Sequence, residues 1–483
     1  MNRHYKSLEL DKILKMLSDC AVSDGAKQKA LLIEPVNNLE KANKLIEKTD
    51  DAFKLISGYS TPPFSGAKDV SESLSRAASG GMLNNSELLR VGGVLKNVTA
   101  VKDWREHCEG VKTSLDLYFT NLYENKRLSD KIFNCIKNEE ELNDNASDTL
   151  FSIRRKMISV SNSIRERLDK VIRSATYQKY LQDAIITQRN GRYVVPVKAE
   201  YKGEISGLVH DTSATGSTVF IEPMTVVEAN NEIKILKSKE KDEIERILFE
   251  LSAEVADVRE SILNSLSILV ELDLYFAKAK LAQKMNATRP ILNDNCYIEL
   301  KKARHPLLDK TKVVPINVSI GDEYKQLIIT GPNTGGKTVT IKTIGLLSLM
   351  AACGLLVPCN EGSQLSVFSN IFSDIGDEQS IEQSLSTFSS HMKNIISILE
   401  KVDNTSLVLL DELCSGTDPV EGAALAASIL ESFRKFGATL AATTHYAELK
   451  AYALDTDGVQ NASCEFDVKT LSPTYRLLIG VPG

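Results

Sequence analysis

Gln326-Leu327-Ile328-Ile329-Thr330 is a short apolar run that opens into Gly331-Pro332-Asn333-Thr334-Gly335-Gly336-Lys337-Thr338, and an apolar-rich stretch follows through Met350. A strand, a glycine-rich loop and a helix in this order constrain the fold more than any other feature. The Gly-x4-Gly-Lys-Thr loop belongs between a strand and a helix of an α/β sheet. Its glycines let backbone N–H groups converge on phosphate oxygens, and the helix N-terminus adds partial positive charge. Lys337 is expected to reach the β- and γ-phosphates and the Thr338 hydroxyl to ligate Mg²⁺. The ligand expected at Gly331–Thr338 is therefore ATP with Mg²⁺.

Two further apolar runs end in polar tips. Ser406-Leu407-Val408-Leu409-Leu410 runs into Asp411-Glu412. Two carboxylates at the C-terminal end of a strand lie where open α/β sheets bind ligands. Asp411 is expected to hold Mg²⁺, and Glu412 to polarise the attacking water as general base. Gly437-Ala438-Thr439-Leu440-Ala441-Ala442-Thr443-Thr444 ends at His445, placed to sense a γ-phosphate. Ser384 to Ser390 precedes an apolar helix and looks like an N-cap, and Gly416-Thr417-Asp418-Pro419 follows the Asp-Glu strand as a turn.

At 483 residues the chain is too long for one ordinary domain. Residues 1 to about 140 carry apolar positions at helical spacing, as in Leu8, Ile13, Leu14 and Leu17. From Ala146 the pattern lengthens through Ile153, Met157, Val160, Ile164, Leu168 and Val171. A second long run goes from Ile233 through Leu251, Val258 and Ile262 to Leu266, with Glu240 as its one polar gap. Two long amphipathic helices at near-heptad spacing predict an antiparallel coiled-coil arm. Between them the period drops to that of strands, at 192–198, 205–211 and 217–222, with Gly191, Gly203 and Gly216 at the turns. A small β-rich module at the end of an arm suggests a contact surface. Its charges balance, because Arg189, Arg192, Lys198 and Lys202 are matched by Glu200, Glu204, Asp211 and Glu222. Those four cations are the candidate nucleic-acid contacts.

The net charge of −6 argues against a wholly basic nucleic-acid coat but allows a local basic groove. Eight scattered cysteines without a CxxC pair read as reduced thiols in a cytoplasmic protein and not as a zinc site. No secretory signal is visible, and the longest apolar run, Ile344 to Val357, is too short and interrupted to span a bilayer. Tyr475 to Gly483 reads as a strand entering a turn, which suggests a fragment of a longer chain.

Taken in order, GPNTGGKT, Leu385-Ser386-Thr387-Phe388, Leu410-Asp411-Glu412, Gly416-Thr417-Asp418 and Thr443-Thr444-His445 resemble the MutS branch of the ABC ATPases, and Arg304-His305-Pro306 is similar to the stretch that opens its ATPase domain. A helical core at the N-terminus leaves no room for the mismatch-reading and connector domains. The arrangement, with Arg189 to Lys198 at the tip, therefore looks like the second bacterial MutS type.

The resemblance implies a multidomain chain: an all-α core and lever with a long arm and a small β-rich clamp tip, then an α/β P-loop ATPase domain. The expected bounds are 1–145 for the helical core and lever, 146–184 for the ascending arm helix, 185–223 for the clamp tip, 224–290 for the descending arm and core helices, and 291–483 for an ATPase domain incomplete at its C-terminus. It also implies a homodimer with composite sites, in which Ser386, Thr387 and Asp418 meet the nucleotide held by the partner. The implied catalytic residues are Lys337, Glu412 and His445, with Mg²⁺ on Thr338 and Asp411. DNA is the implied partner, branched DNA and suppression of recombination the implied role, and ribosome or rRNA binding the alternative. Any Smr-type endonuclease activity would lie outside this chain, and no membrane role is implied. An SMC-type reading is disfavoured, since both ATPase motifs lie between 326 and 412.

Overall fold

The computed structural model describes residues 2–332, 335–376, 387–467 and 472–482. The chain forms two compact units, one of Val70–Thr99 and Tyr123–Asn264, the other of Met1–Asp69, Ala100–Leu122 and Ser265–Gly483. The helical stretch 1–145 contributes to both.

In the Val70–Asn264 unit, the helices Asp148–Ile172 and Met224–Asp257 run antiparallel. Ser147 starts the first, its hydroxyl accepting from Leu150 N at 3.0 Å. Leu150, Ile164 and Leu168 are buried on one helix, Val226, Ile233, Leu236, Ile247 and Leu251 on the other. Glu240, the polar gap in the apolar run, is met across the pair by Arg154, with Nε 2.7 Å from Oε1. One expectation is corrected: the second run is not a single helix. It breaks at Val258 (φ −109°, ψ 14°), and a new helix, Arg259–Met285, carries Ile262 and Leu266. No glycine or proline marks the break, and the apolar spacing continues through it.

The same unit carries an antiparallel sheet of β1 (Thr187–Arg189), β2 (Arg192–Lys198), β3 (Gly207–Thr212) and β4 (Thr218–Pro223), in the order β1-β2-β4-β3. Asn190 (φ 51°) and Gly191 (φ 75°) make the two-residue turn that closes β1 on β2, with Arg189 opposite Arg192. Val195, Val197, Val219 and Ile221 pack with Ile164, Leu168, Val226 and Ile233, so the sheet shares one core with the helix ends.

The other unit holds two sheets. The smaller contains β5 (Ile291–Asn293), β6 (Ile298–Ala303), β7 (Ile316–Ile320) and β9 (Gln364–Ser366), in the order β5-β9-β6-β7. The larger contains β8 (Gln326–Thr330), β10 (Asn370–Asp374), β11 (Ser406–Leu410), β12 (Thr439–Thr443), β13 (Val459–Asp467) and β14 (Ser472–Ile479). Its order is β10-β11-β12-β8-β13-β14, parallel except for β14. β8, β11 and β12 are buried throughout, as their continuous apolar runs require of a sheet covered on both faces. Their C-terminal ends share one edge. Among the described residues no helix is long and apolar enough to cross a membrane, and all eight cysteines are buried and free.

Candidate nucleotide site

The loop after β8 turns at Gly331 (φ 134°), and Gly336 (φ 91°) starts the Lys337–Ala352 helix. Both are left-handed conformations that favour glycine. At Gly336 a Cβ would also stand 3.2 Å from the Tyr475 ring. Lys337 is 2% exposed. Its Nζ donates to Gly331 O at 2.6 Å and lies 3.3 Å from each His445 ring nitrogen. Burial pushes the Lys337 ammonium below its usual range, while the Glu412 charge acts against that shift.

Asp411 is held on both carboxylate oxygens. Thr338 Oγ1 donates to Oδ2 at 2.7 Å and Thr443 Oγ1 to Oδ1 at 2.5 Å. Thr443 Oγ1 also accepts from Glu412 N at 2.7 Å. Glu412 therefore leaves the strand in a left-handed conformation (φ 48°), a strained geometry for a non-glycine residue that concentrates at functional sites. Its Oε1 lies 3.3 Å from His445 Nε2. Lys337, Thr338, Asp411, Glu412 and His445, up to 108 residues apart in sequence, thus meet at one sheet edge.

A cavity of about 360 Å³ adjoins Gly336 and is walled by Val313, Val314, Ile316, Val339, Tyr475 and His305. Its apolar flanks suit a planar ring. Burial pushes the His305 imidazole down to about 4. Leu307 N donates to its Nδ1 at 3.4 Å, and its Nε2, 3.9 Å from Glu9 Oε2, has no hydrogen-bond partner among the described residues.

The hydroxyl and carboxylate oxygens of Thr338 and Asp411 fit Mg²⁺, a hard cation that keeps waters and phosphate ligands around one or two protein groups. Among the described residues no group of three or more His, Cys, Asp or Glu could hold a metal by itself, so the rest of the coordination would come from nucleotide and water.

Other expected residues are placed as follows. Asp418 caps the Pro419–Phe436 helix, Oδ1 accepting from Val420 N at 3.0 Å and Glu421 N at 3.2 Å. Asn333, Thr334 and Ser386 lie outside the described residues, as does the Thr387 side chain, although Thr387 opens the Thr387–Leu399 helix. In the Val70–Asn264 unit, Arg192 is committed to the fully buried Glu222, with Nη1 2.8 Å from Oε1. His210 and Asn230 also donate to Glu222. Arg189 pairs with Asp211 at 3.3 Å and stacks on Phe220. Lys198 Nζ lies 3.4 Å from Lys179 O, and Lys202 is exposed. Sequence reasoning did not single out Thr443 as the anchor of Asp411. It singled out His305 and Gly336 but missed the rest of the cavity wall, whose residues come from three separate stretches.

The profile described as MutS domain V matches residues 327–479. A protein named Endonuclease MutS2 from Ruminiclostridium cellulolyticum is 53% identical over 481 residues, 99% of this chain and 61% of that protein. Proteins of the same name from Acetivibrio thermocellus and Clostridium beijerinckii are 52% and 50% identical over 99% and 100% of this chain, again 61% of each relative. The chain spans about 61% of the length of these curated relatives.

Proposed function

We propose that this chain, which belongs to the MutS family, is the ATP-hydrolysing, DNA-binding part of a dimeric clamp. The observation that carries the reading is the meeting of Lys337, Thr338, Asp411, Glu412 and His445 at one sheet edge beside an apolar cavity. The Gly331–Thr338 loop holds the phosphates, and the cavity takes the adenine. Thr338 and Asp411 would hold Mg²⁺, which when bound offsets phosphate charge. Glu412 takes the proton of the attacking water, and Lys337 and His445 contact the γ-phosphate.

In the dimer, Ser386, Thr387 and Asp418 of each protomer complete the site of the other. ATP binding closes the pair and moves the arms. Their β-rich ends grip DNA through exposed cations such as Lys202. Branched DNA is the preferred substrate, and holding it suppresses recombination.

The test is steady-state ATP hydrolysis by the parent and by Glu412→Gln, with nucleotide affinity followed by a fluorescent ADP. The variant should bind nucleotide normally and lose hydrolysis by about 100-fold or more. Parental turnover in Glu412→Gln would sink the assignment. Competition among four-way junction DNA, plain duplex and ribosomes tests the partner, and a preference for ribosomes would overturn the DNA reading.

A further inference from the structure

Asp374 ends β10 beside Leu410, one residue before Asp411 on the neighbouring strand. Its backbone oxygen accepts from Asp411 N at 2.8 Å. Its side chain faces the other way in the network. Oδ2 is bonded to His391 Nδ1 at 2.8 Å, and Oδ1 accepts from Asn394 Nδ2 at 2.8 Å. His391 and Asn394 are three residues apart on one face of the Thr387–Leu399 helix. Asn394, itself buried, also donates to Ser373 O at 3.1 Å. Asp374 thus touches the amide of the proposed Mg²⁺ ligand with its backbone and grips the Thr387–Leu399 helix with its carboxylate.

A carboxylate on Nδ1 fixes the imidazole as an Nδ1–H donor and sets the ring's orientation. The hydrogen bond to Asp374 raises the His391 pKa against the opposing effect of burial, helped by the charges of Asp374, Asp411 and Glu412. Asn394 satisfies Oδ1 of this buried carboxylate and His391 satisfies Oδ2, so the two helix side chains together fix the orientation of Asp374.

We propose that His391 is a positioning residue for ATP hydrolysis: through Nδ1 it holds Asp374, and Asp374 in turn holds the Asp411–Glu412 turn in register with the helix that begins at Thr387. The inference rests on the ATPase reading above. In the dimer, that helix points its N-terminus at the partner's nucleotide, so the His391–Asp374 pair ties one protomer's metal-binding turn to the element that senses the other protomer's ATP. Loss of an outer contact of this kind lowers activity without removing a ligand.

The experiment compares His391→Ala, His391→Asn and His391→Gln in the full chain, reading kcat, KM, fluorescent-ADP affinity and melting temperature. Asn places an amide N–H where Nδ1 stands, whereas Gln places one nearer Nε2. His391→Ala should lower kcat by about 10- to 100-fold with ADP affinity unchanged. His391→Asn should restore most of the loss and His391→Gln little of it. Parental kcat in all three variants would overturn the proposal. So would rescue by Gln and not Asn, which would mean that Nε2 acts directly, or a loss of kcat that follows melting temperature across the set. Glu412→Gln, run alongside, separates the two layers: if it stays active the ATPase reading fails, and if it alone is inactive only the role of His391 fails.

Discussion

Glu222 and Asp411 are both carboxylates at the end of a strand, and both are held by several donors, yet the two settings differ. Glu222 is fully buried and saturated by Arg192, His210 and Asn230. Asp411 is half-buried and, among the described residues, its carboxylate takes two neutral hydroxyl donors, from Thr338 and Thr443, and the residue after it is strained. A saturated buried charge has little left to offer a ligand and serves to fix the packing around it. A carboxylate held by neutral donors at an open edge keeps its charge available for a cation. On the proposed reading, the contrast separates a carboxylate that holds shape from one left available to a cation.

The largest expected effect comes from breaking the saturated side. Arg192→Ala leaves the Glu222 charge buried with its main partner gone. Such a loss costs about 3–5 kcal/mol. Chemical denaturation of the Val70–Asn264 unit should show it, while ATP affinity in the other unit stays at the parental value. A stability change under about 1 kcal/mol would mean that Glu222 is far less dependent on the pair than its burial implies.

His305 tests the opposite case, a buried polar group kept neutral. Its folded pKa of about 4 lies below the ordinary 6.5. Between those values the unfolded chain binds a proton that the folded chain does not, so stability rises with pH from 4 to 6.5 and is flat above. The full span is worth on the order of 3 kcal/mol. His305→Gln should flatten the melting temperature against pH in that window, and an unchanged slope would remove His305 as its cause.

At the Asp411 edge the effect should fall more on rate than on stability. Thr443→Val keeps the shape of a buried strand residue but removes one donor to Asp411 and the acceptor of Glu412 N–H. Turnover should drop by about 10- to 100-fold, with the melting temperature lowered by only a few degrees, the cost of leaving the Glu412 N–H without its acceptor. Equal losses in both would place Thr443 with Glu222, among the groups that hold shape.

The residues that meet at this edge were legible in the sequence because each motif is local. Strand, loop and helix around Lys337 are contiguous, as are the apolar run and Asp411-Glu412. The Asn190-Gly191 turn was legible for the same reason, since φ > 0 at two adjacent positions demands those residue types. The Glu240 gap showed only as a polar residue at an apolar step, and the folded helix pair supplies its partner, Arg154. What stayed hidden depends on distant segments meeting. Examples are the cavity wall of Val314, Val339 and Tyr475, the grip of Asp374 on His391, and the break at Val258, where side-chain periodicity continues although the backbone does not.

The smallest effect sharpens the comparison within one sheet. Arg192 and Lys202 were equal candidates by charge, but Arg192 is bound to Glu222, whereas Lys202 is exposed. Lys202→Ala should leave stability within about 0.5 kcal/mol, as for a surface substitution. If Lys202 contacts a phosphate, duplex binding should weaken uniformly across sequences, and the slope of log affinity against log salt should fall by about one. Arg192→Ala should lower DNA affinity only in step with the loss of folded protein, so the salt slope of the remaining folded fraction stays parental. A salt slope unchanged by Lys202→Ala and reduced by Arg192→Ala would reverse the assignment and make Glu222 a partner that DNA displaces.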